Sequence, residues 1–277
     1  MKRYKNHPLS LILFLLVNLA AVITAAVVLF LIGYILWHGV PNLSLPGIFA
    51  WEYNGENQSM TPAIINTLIM TALTLLLAVP IGVFAAIYLV EYAKKGSKLV
   101  KLIRVTAETL AGIPSIVYGL FGFIVFVITL GWSYTLIAGV ITLAIMILPL
   151  IIRTTEEALM AVPDSFREGS FGLGAGKLRT VFRIVLPSAV PGIAAGIILA
   201  IGRIVGESAA LIFTSGTNPV VAKGLFTSAS TLSVHLYALL TEGLYTEQAY
   251  AVAAVLLFLV IGINALSSVA AKKLTAK

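Results

Sequence analysis

The sequence predicts an all-α polytopic membrane protein with six spans and both ends of the chain in the cytoplasm. Composition, apolar runs and charge placement predict it. Apolar types make up 60% of the 277 residues and charged types 10%. An ordinary soluble domain has about 45–50% and 25%. With 18 Lys and Arg and 11 Asp and Glu, a water-soluble fold of this size could not cover its surface. A disordered chain, a nucleic-acid-binding domain and a soluble enzyme are excluded.

A bilayer core about 30 Å thick takes roughly 20 apolar residues to cross as a helix. Six stretches meet or approach this: residues 9–37, 64–90, 110–130, 136–152, 190–213 and 249–270. The first is longer than the roughly 7–15-residue apolar core of a signal peptide, so it is a retained span. The fourth is short and the fifth contains charges.

Basic residues fall on one side of these spans. Lys2, Arg3 and Lys5 precede the first; Lys94, Lys95, Lys98, Lys101 and Arg104 separate the second and third. Arg153, Arg167, Lys177, Arg179 and Arg183 separate the fourth and fifth, and Lys272, Lys273 and Lys277 follow the sixth. The other side holds Lys223 with Glu52, Glu56, Glu242 and Glu247. This is the positive-inside pattern, so the net charge of +7 reports topology.

Cysteine is absent, which excludes a disulfide scaffold, a zinc–thiolate site, an iron–sulfur cluster and a Cys nucleophile. His7, His38 and His235 have no metal-ligand spacing. Residues 38–61, with Pro41, Pro46 and Gly55, form a polar extracytoplasmic loop, and 131–135 a tight turn. Segment 214–248 carries Leu232, Leu236, Leu239 and Leu240 at helical spacing. An interfacial or re-entrant helix and a helix packed on the outer bundle surface both fit it.

The cytoplasmic loop 153–189 is too long for a bundle turn. Asp164 or Ser165 caps a helix start, with Glu168 in its first turn. Gly172, Gly174 and Gly176 break the chain, and an apolar run resumes at Val181, Phe182, Ile184, Val185 and Leu186. Two short helical pieces separated by a glycine turn result.

Glu168-Gly169-Ser170, three residues, Gly174, nine residues, Ile184, one residue, then Leu186-Pro187 resembles the EAA loop of ABC importer permeases. The spacing is complete; Gly169 and Ser170 stand where the family pattern has two alanines. Gly lowers helicity there by about 1 kcal/mol relative to Ala. The resemblance implies a type I ABC importer permease fold in which Glu168, Gly174, Ile184, Leu186 and Pro187 form the coupling loop that docks on an ATP-binding subunit. Gly176-Lys177 is not a phosphate-binding loop: position 171 is Phe and position 178 is Leu, where that motif needs Gly and Ser or Thr. This chain is therefore expected to hydrolyse no ATP and bind no cofactor itself, with ATP and Mg used by the partner subunit.

Arg203 is the fourteenth of 24 residues in span five, roughly 20 Å along a helix. A central Arg costs on the order of 2.5–3.5 kcal/mol, so it faces the bundle or an aqueous cavity. Glu207 follows at i+4 and can pair with it. The pair reads either as a self-neutralised strut or as an anion contact, since a guanidinium fork suits tetrahedral oxyanions. Gly192 with Gly196, and Gly202 with Gly206, permit close helix approach. Pro80 with Gly82, and Gly112-Ile113-Pro114-Ser115, read as helix breaks, and Ser115 as a pathway-lining residue.

The resemblance sharpens over residues 61–277. Ala111-Gly-Ile-Pro-Ser-Ile-Val-Tyr-Gly-Leu-Phe-Gly122 is similar to the third-span signature of phosphate-specific ABC permeases, and Gly202-Arg-Ile-Val-Gly-Glu-Ser-Ala209 to their Arg-x-x-Gly-Glu stretch. Thr155-Glu-Glu-Ala-Leu159 also looks like that group. Val234-His-Leu-Tyr237, Thr241-Glu-Gly243 and Gln248-Ala-Tyr250 resemble the A-type subunit. What this implies is a single membrane domain, 1–277. Residues 1–61 hold the first span and outer loop, and 62–271 the core permease. The implied location is a prokaryotic inner membrane, and the implied cargo is inorganic phosphate, moved by alternating access past Arg203, Glu207 and Ser115. The implied partners are a C-type permease, two copies of an ATP-binding subunit and an extracytoplasmic phosphate-binding protein. A permease for sulfate or molybdate would share the loop and differ in the pathway, and a regulatory role could accompany transport. A membrane-embedded enzyme finds no support, because no Ser/His/Asp, Cys or metal constellation accompanies Glu156, Glu157 or the Arg203–Glu207 pair.

Overall fold

The computed structural model describes residues 8–53, 58–94 and 96–275, and among them the chain is helical with no strand. Lys2, Arg3, Lys5, His7, Gly55, Glu56, Lys95 and Lys277 lie outside the described residues. Helix α1 (Pro8–Gly39) leads through a 3-10 turn (Pro41–Ser44) to α2 (Thr61–Ile87), which closes in π geometry over Tyr88–Tyr92. Next come α3 (Lys98–Ala111), α4 (Ser115–Gly122) with π turns over Phe123–Thr129, and α5 (Leu136–Met160). Helix α6 (Asp164–Gly172) precedes α7 (Lys177–Thr180), a π segment (Val181–Val185) and α8 (Leu186–Val205). The chain ends with α9 (Ala209–Thr214), α10 (Leu232–Glu242) and α11 (Thr246–Thr275).

Among the described residues, five helices are long and apolar enough to cross a bilayer, counting Lys177–Val205 as one continuous helix. The sixth pass, expected over 110–130, is not straight: α3 and α4 meet at a bend of 101°. Pro114 causes it, because its ring removes an N–H and drives the preceding residue out of helical space. Tyr118 Oη donates to Leu110 O across the bend at 2.7 Å, meeting one of the carbonyls that a helix end leaves free. No comparable break occurs at Pro80, where α2 runs through. Gly82 serves packing there, since a Cβ at this position would stand 2.6 Å from Ile151 Cγ2.

Two helices also extend beyond the apolar runs. Helix α5 continues past Ile152 to Met160, and the second half of the expected loop, from Lys177, is already helix continuous with α8. The projecting part is therefore the shorter stretch 161–176. Helix α6 begins at Asp164 itself with Pro163 at its N-cap position, so neither Asp164 nor Ser165 caps it.

The core has three tiers. The central one joins α2, α4, α5, α8 and α9 through Met70, Tyr118, Leu143, Ile147, Ala200, Ile204 and Leu211. At the end rich in Arg and Lys, Ile87, Leu159, Val162, Val181, Val185 and Ile193 close the bundle. At the opposite end, Ile48, Met60, Leu232, Leu239 and Val252 do so. Helix α1 stands outside, packed on α11 where Gly39 meets Tyr250 and Ala254. Its other faces, including Leu9, Leu15, Phe30 and Trp37, are exposed, as a helix solvated by lipid requires.

The segment between α9 and α10 is irregular, so its backbone needs partners. Asn66 supplies them. Its Nδ2 donates to Val220 O (2.8 Å) and Ser230 O (3.1 Å), and its Oδ1 accepts from Ala222 N (3.0 Å). Thr67 Oγ1 accepts from Leu232 N at 2.8 Å and so starts α10. Helix α10 buries Leu232, Val234, His235 and Leu239, so this segment is built into the bundle end.

Candidate functional site

Arg203 sits three residues before a break in span five. Helix α8 ends at Val205, Gly206 and Glu207 turn, and α9 starts at Ala209. The break removes the geometry that an i,i+4 pair needs. Glu207 is buried and its Oε1 accepts from Ala210 N at 3.1 Å, a carboxylate placed at a helix start where the dipole favours it. Among the described residues the ion pairs include Arg104–Glu156, Arg153–Glu157, Arg167–Glu91 and Arg167–Asp164, and Arg203 and Glu207 do not pair with each other. The Arg203–Glu207 strut is therefore absent, and the Arg203 guanidinium is half-buried without a carboxylate partner.

Two cavities meet at Arg203. One, of about 540 Å³, reaches toward the basic end and is lined by Arg104, Glu108, Arg153, Glu156, Glu157 and Arg203 among apolar residues of α3, α5 and the turn after α2. Arg104 Nε donates to Glu156 Oε1 at 2.7 Å, and Arg153 Nε to Glu157 Oε1 at 3.0 Å. Those two arginines are neutralised, which leaves Arg203 as the lining arginine whose charge stands open. The other cavity, about 590 Å³, is lined by Leu150, Ala195, Ile198, Leu199, Gly202, Arg203 and Asn264. Asn264 Oδ1 is buried with no hydrogen-bond partner, so an amide with spare capacity shares this space with the guanidinium. Ser115 is the first residue of α4 and lines neither cavity.

Close packing fixes the frame around Arg203. A Cβ at Gly192 would lie 2.6 Å from Ala158 Cβ, and one at Gly196 would lie 2.6 Å from Thr154 Cβ, so this pair seats α8 on α5. Gly202 and Gly206 do not act this way, with nearest atoms at 3.9 and 3.5 Å. In α4, a Cβ at Gly119 would stand 2.8 Å from Ala210 Cα, and one at Gly122 would stand 2.7 Å from Thr214 Cγ2. Gly119 and Gly122 of the 111–122 signature thus let α4 cross α9 beside the break.

The projecting α6 carries the spacing motif. Gly174 has φ +80°, a left-handed conformation that favours glycine. Gly174 N donates to Phe171 O (2.9 Å) and Ala175 N to Ser170 O (3.1 Å), the paired bonds of a Schellman ending. Ser170 and Thr180 are buried with their hydroxyls 2.8 Å apart, which gives the non-alanine Ser170 a role in joining α6 to α7. Gly174 and Ile184 share a groove of about 320 Å³ with Arg179 and Arg183. Leu186 packs on the tier at this end, while Glu168 and Pro187 are exposed. Phe166, Phe171, Leu173 and Leu178 leave a prominent apolar surface, Leu173 being 90% exposed.

The profile of the binding-protein-dependent transport system inner membrane component family matches residues 78–275, a stretch holding the bent pass, the projecting helix and Arg203. The chain belongs to this family. Among relatives of this permease, the probable ABC transporter permease protein YqgI of Bacillus subtilis is 35% identical over 247 residues, 83% of each chain. The phosphate transport system permease protein PstA of Mycobacterium leprae is 35% identical over 224 residues, 80% of this permease and 72% of the relative. In fold, this permease is similar to a chain of a bacterial alginate ABC transporter crystallised with its pentasaccharide-bound periplasmic protein. The TM-score there is 0.72 at 17% identity, with 99% of both chains covered.

Sequence reasoning missed Asn66, Asn264 and the Arg167–Glu91 pair in this permease. For Asn264 a signal existed: a lone amide within an apolar run is a polar group that a membrane helix must place against protein or a cavity.

Proposed function

We propose that this permease is a membrane subunit of an ATP-driven importer of inorganic phosphate, with its basic end in the cytoplasm of a prokaryotic cell. The observation that carries it is Arg203: an arginine with no carboxylate partner, within a membrane span, exposed to a cavity on either side. A guanidinium so placed offers a donor fork to a tetrahedral oxyanion and little to a cation or a neutral solute. Asn264 Oδ1 adds an acceptor, which suits an oxyanion that carries a proton near neutral pH. The relatives named as phosphate permeases support the same cargo.

In this reading Glu207 shapes the break beside Arg203, and Ser115 contributes through the start of α4. The exposed surface of α6, with Glu168, Gly174 and Ile184, docks on an ATP-binding subunit. Two copies of that subunit, which holds ATP and Mg, serve this permease and a second, C-type one. A phosphate-binding protein delivers the anion at the far end. Closure of the ATP-binding subunits moves the knobs, and the bundle alternates access around Arg203.

The test is labelled-phosphate uptake in cells lacking other phosphate importers and expressing the whole complex, with excess sulfate as competitor. Uptake that ignores sulfate and collapses in Arg203→Gln, with the complex still assembled, supports the reading. Sulfate competition points to another oxyanion, and absent uptake by an assembled wild-type complex discards phosphate as cargo.

A further inference from the structure

The side chain of Arg167 joins three elements. It is 14% exposed and its partner Glu91 8%. Arg167 Nε and Nη2 donate to Glu91 Oε1 at 3.0 and 2.8 Å. Nη2 also donates to Leu159 O at 2.9 Å, and Nη1 to Val162 O at 2.7 Å. Nη1 further meets Asp164 Oδ1 at 3.1 Å, but that carboxylate is 84% exposed, so this contact adds little.

Glu91 belongs to the π turn that closes α2. Leu159 is in the last turn of α5, and Val162 follows its end. The last four carbonyls of a helix have no partner within it. The guanidinium answers one carbonyl in the last turn of α5, one just beyond its end and one carboxylate from the π turn closing α2, while standing on α6. Only a planar fork with five N–H groups has that reach and geometry. Lys177 over the Tyr92 ring, at 5.1 Å from its centroid, ties the start of α7 to the same end of α2.

We propose that Arg167 is a positioning residue for energy coupling. It makes α6 and the ends of α2 and α5 one body, so that force on the exposed face at Phe166, Phe171 and Leu173 reaches three spans together. Without it, α6 would pass force on through its covalent continuation into α8 and the Ser170–Thr180 contact. The inference rests on the docking of α6 proposed above. It goes beyond docking, because the Arg167 guanidinium is spent on Glu91, Leu159 O and Val162 O within this chain.

The experiment uses the whole complex in proteoliposomes and reads three quantities: ATPase subunit retained, ATP hydrolysed and phosphate moved. For Arg167→Gln, retention and hydrolysis persist while phosphate moved per ATP falls by about tenfold, within the usual range of coupling between sites. Glu91→Gln, which keeps an acceptor oxygen, gives a smaller loss. The double variant is no worse than Arg167→Gln alone. Unchanged phosphate per ATP in an assembled Arg167→Gln complex overturns the proposal. So does loss of the ATPase subunit from that variant, which would make Arg167 a docking determinant. Failure of the wild-type chain to retain the subunit would instead strike at the docking reading.

A second measurement holds even if Arg167→Gln fails to assemble. The chain has no cysteine, so spin labels can be placed at Tyr88→Cys and Leu173→Cys. The distance between them stays single and narrow with and without ATP, and it broadens in Glu91→Gln. A wild-type distance that changes with ATP refutes the single body.

Discussion

Replacing Gly174 tests the coupling knob where its backbone is most demanding. Its φ of +80° is left-handed, and a Cβ there meets nothing within 4 Å. Steric crowding by neighbours therefore contributes nothing, and the cost of Gly174→Ala is that of the backbone alone, about 1–2 kcal/mol. That energy shifts a local equilibrium by about 5–30-fold. The shift falls on the two bonds that end α6, Gly174 N to Phe171 O and Ala175 N to Ser170 O. Hydrogen exchange on the purified protein reads it directly: residue 174 and Ala175 amides lose protection by that factor, while those of α5 and α8 keep theirs. Gly174→Asn should lose less than Gly174→Asp, because Asn tolerates the left-handed region better. Retention of the ATPase subunit should fall in the order Gly, Asn, Ala. Equal protection in the glycine and alanine proteins would refute the backbone reasoning. Full subunit retention by Gly174→Asp would remove the turn from the docking account.

Gly196→Val forces a side chain into Thr154 and should abolish recovery of folded protein, whereas Gly202→Ala, with open space inside a helix, should keep the yield and hold or slightly raise the melting temperature; size-exclusion profiles and melting in detergent decide it. Asn66→Ala strips three bonds from the irregular segment before α10 and should destabilise the fold by about 3 kcal/mol, on the scale of one to three unmet buried groups. A melting temperature equal to wild type would count against the clamp. Burial holds the His235 pKa below its usual 6.5, with a backbone hydrogen bond to Gln58 partly opposing this. The folded state thus binds a proton less readily than the unfolded one, so stability is full above about pH 6.5 and falls as pH drops below it. The fall should be shallower in His235→Gln, and identical melting-versus-pH slopes would show that His235 does not contribute.

The passes were legible because a bilayer imposes length and composition together. Helix ends were less so. Arg153, Glu156 and Glu157 look like loop residues in composition, yet they occupy one stripe of a helix that continues to Met160. The i,i+4 pairing of Arg203 with Glu207 assumed a continuous helix, and Gly206 ends it. The Gly192–Gly196 seat could be read because small residues at that spacing leave one narrow use, while Gly202 and Gly206 show that the same spacing also arises without it. Arg167 could not have been read from its neighbours. Two of its acceptors are backbone carbonyls, and its carboxylate lies 76 residues away. Asn66 is hidden likewise, its partners lying about 160 positions downstream along the chain.

The continuous helix from Lys177 to Val205 has a mechanical consequence. Its foot at Lys177 directly follows the projecting stretch 161–176, for which docking is proposed, and Arg203 stands near its head, 26 residues on, about 39 Å at 1.5 Å per residue. A tilt of about 10° at the foot would therefore sweep the guanidinium through about 7 Å, more than the width of an oxyanion. In the proposed function, the docking contact and the anion contact would ride on one lever arm, with stroke at one end setting displacement at the other. Softening that shaft anywhere along its length should shorten the stroke without touching either end.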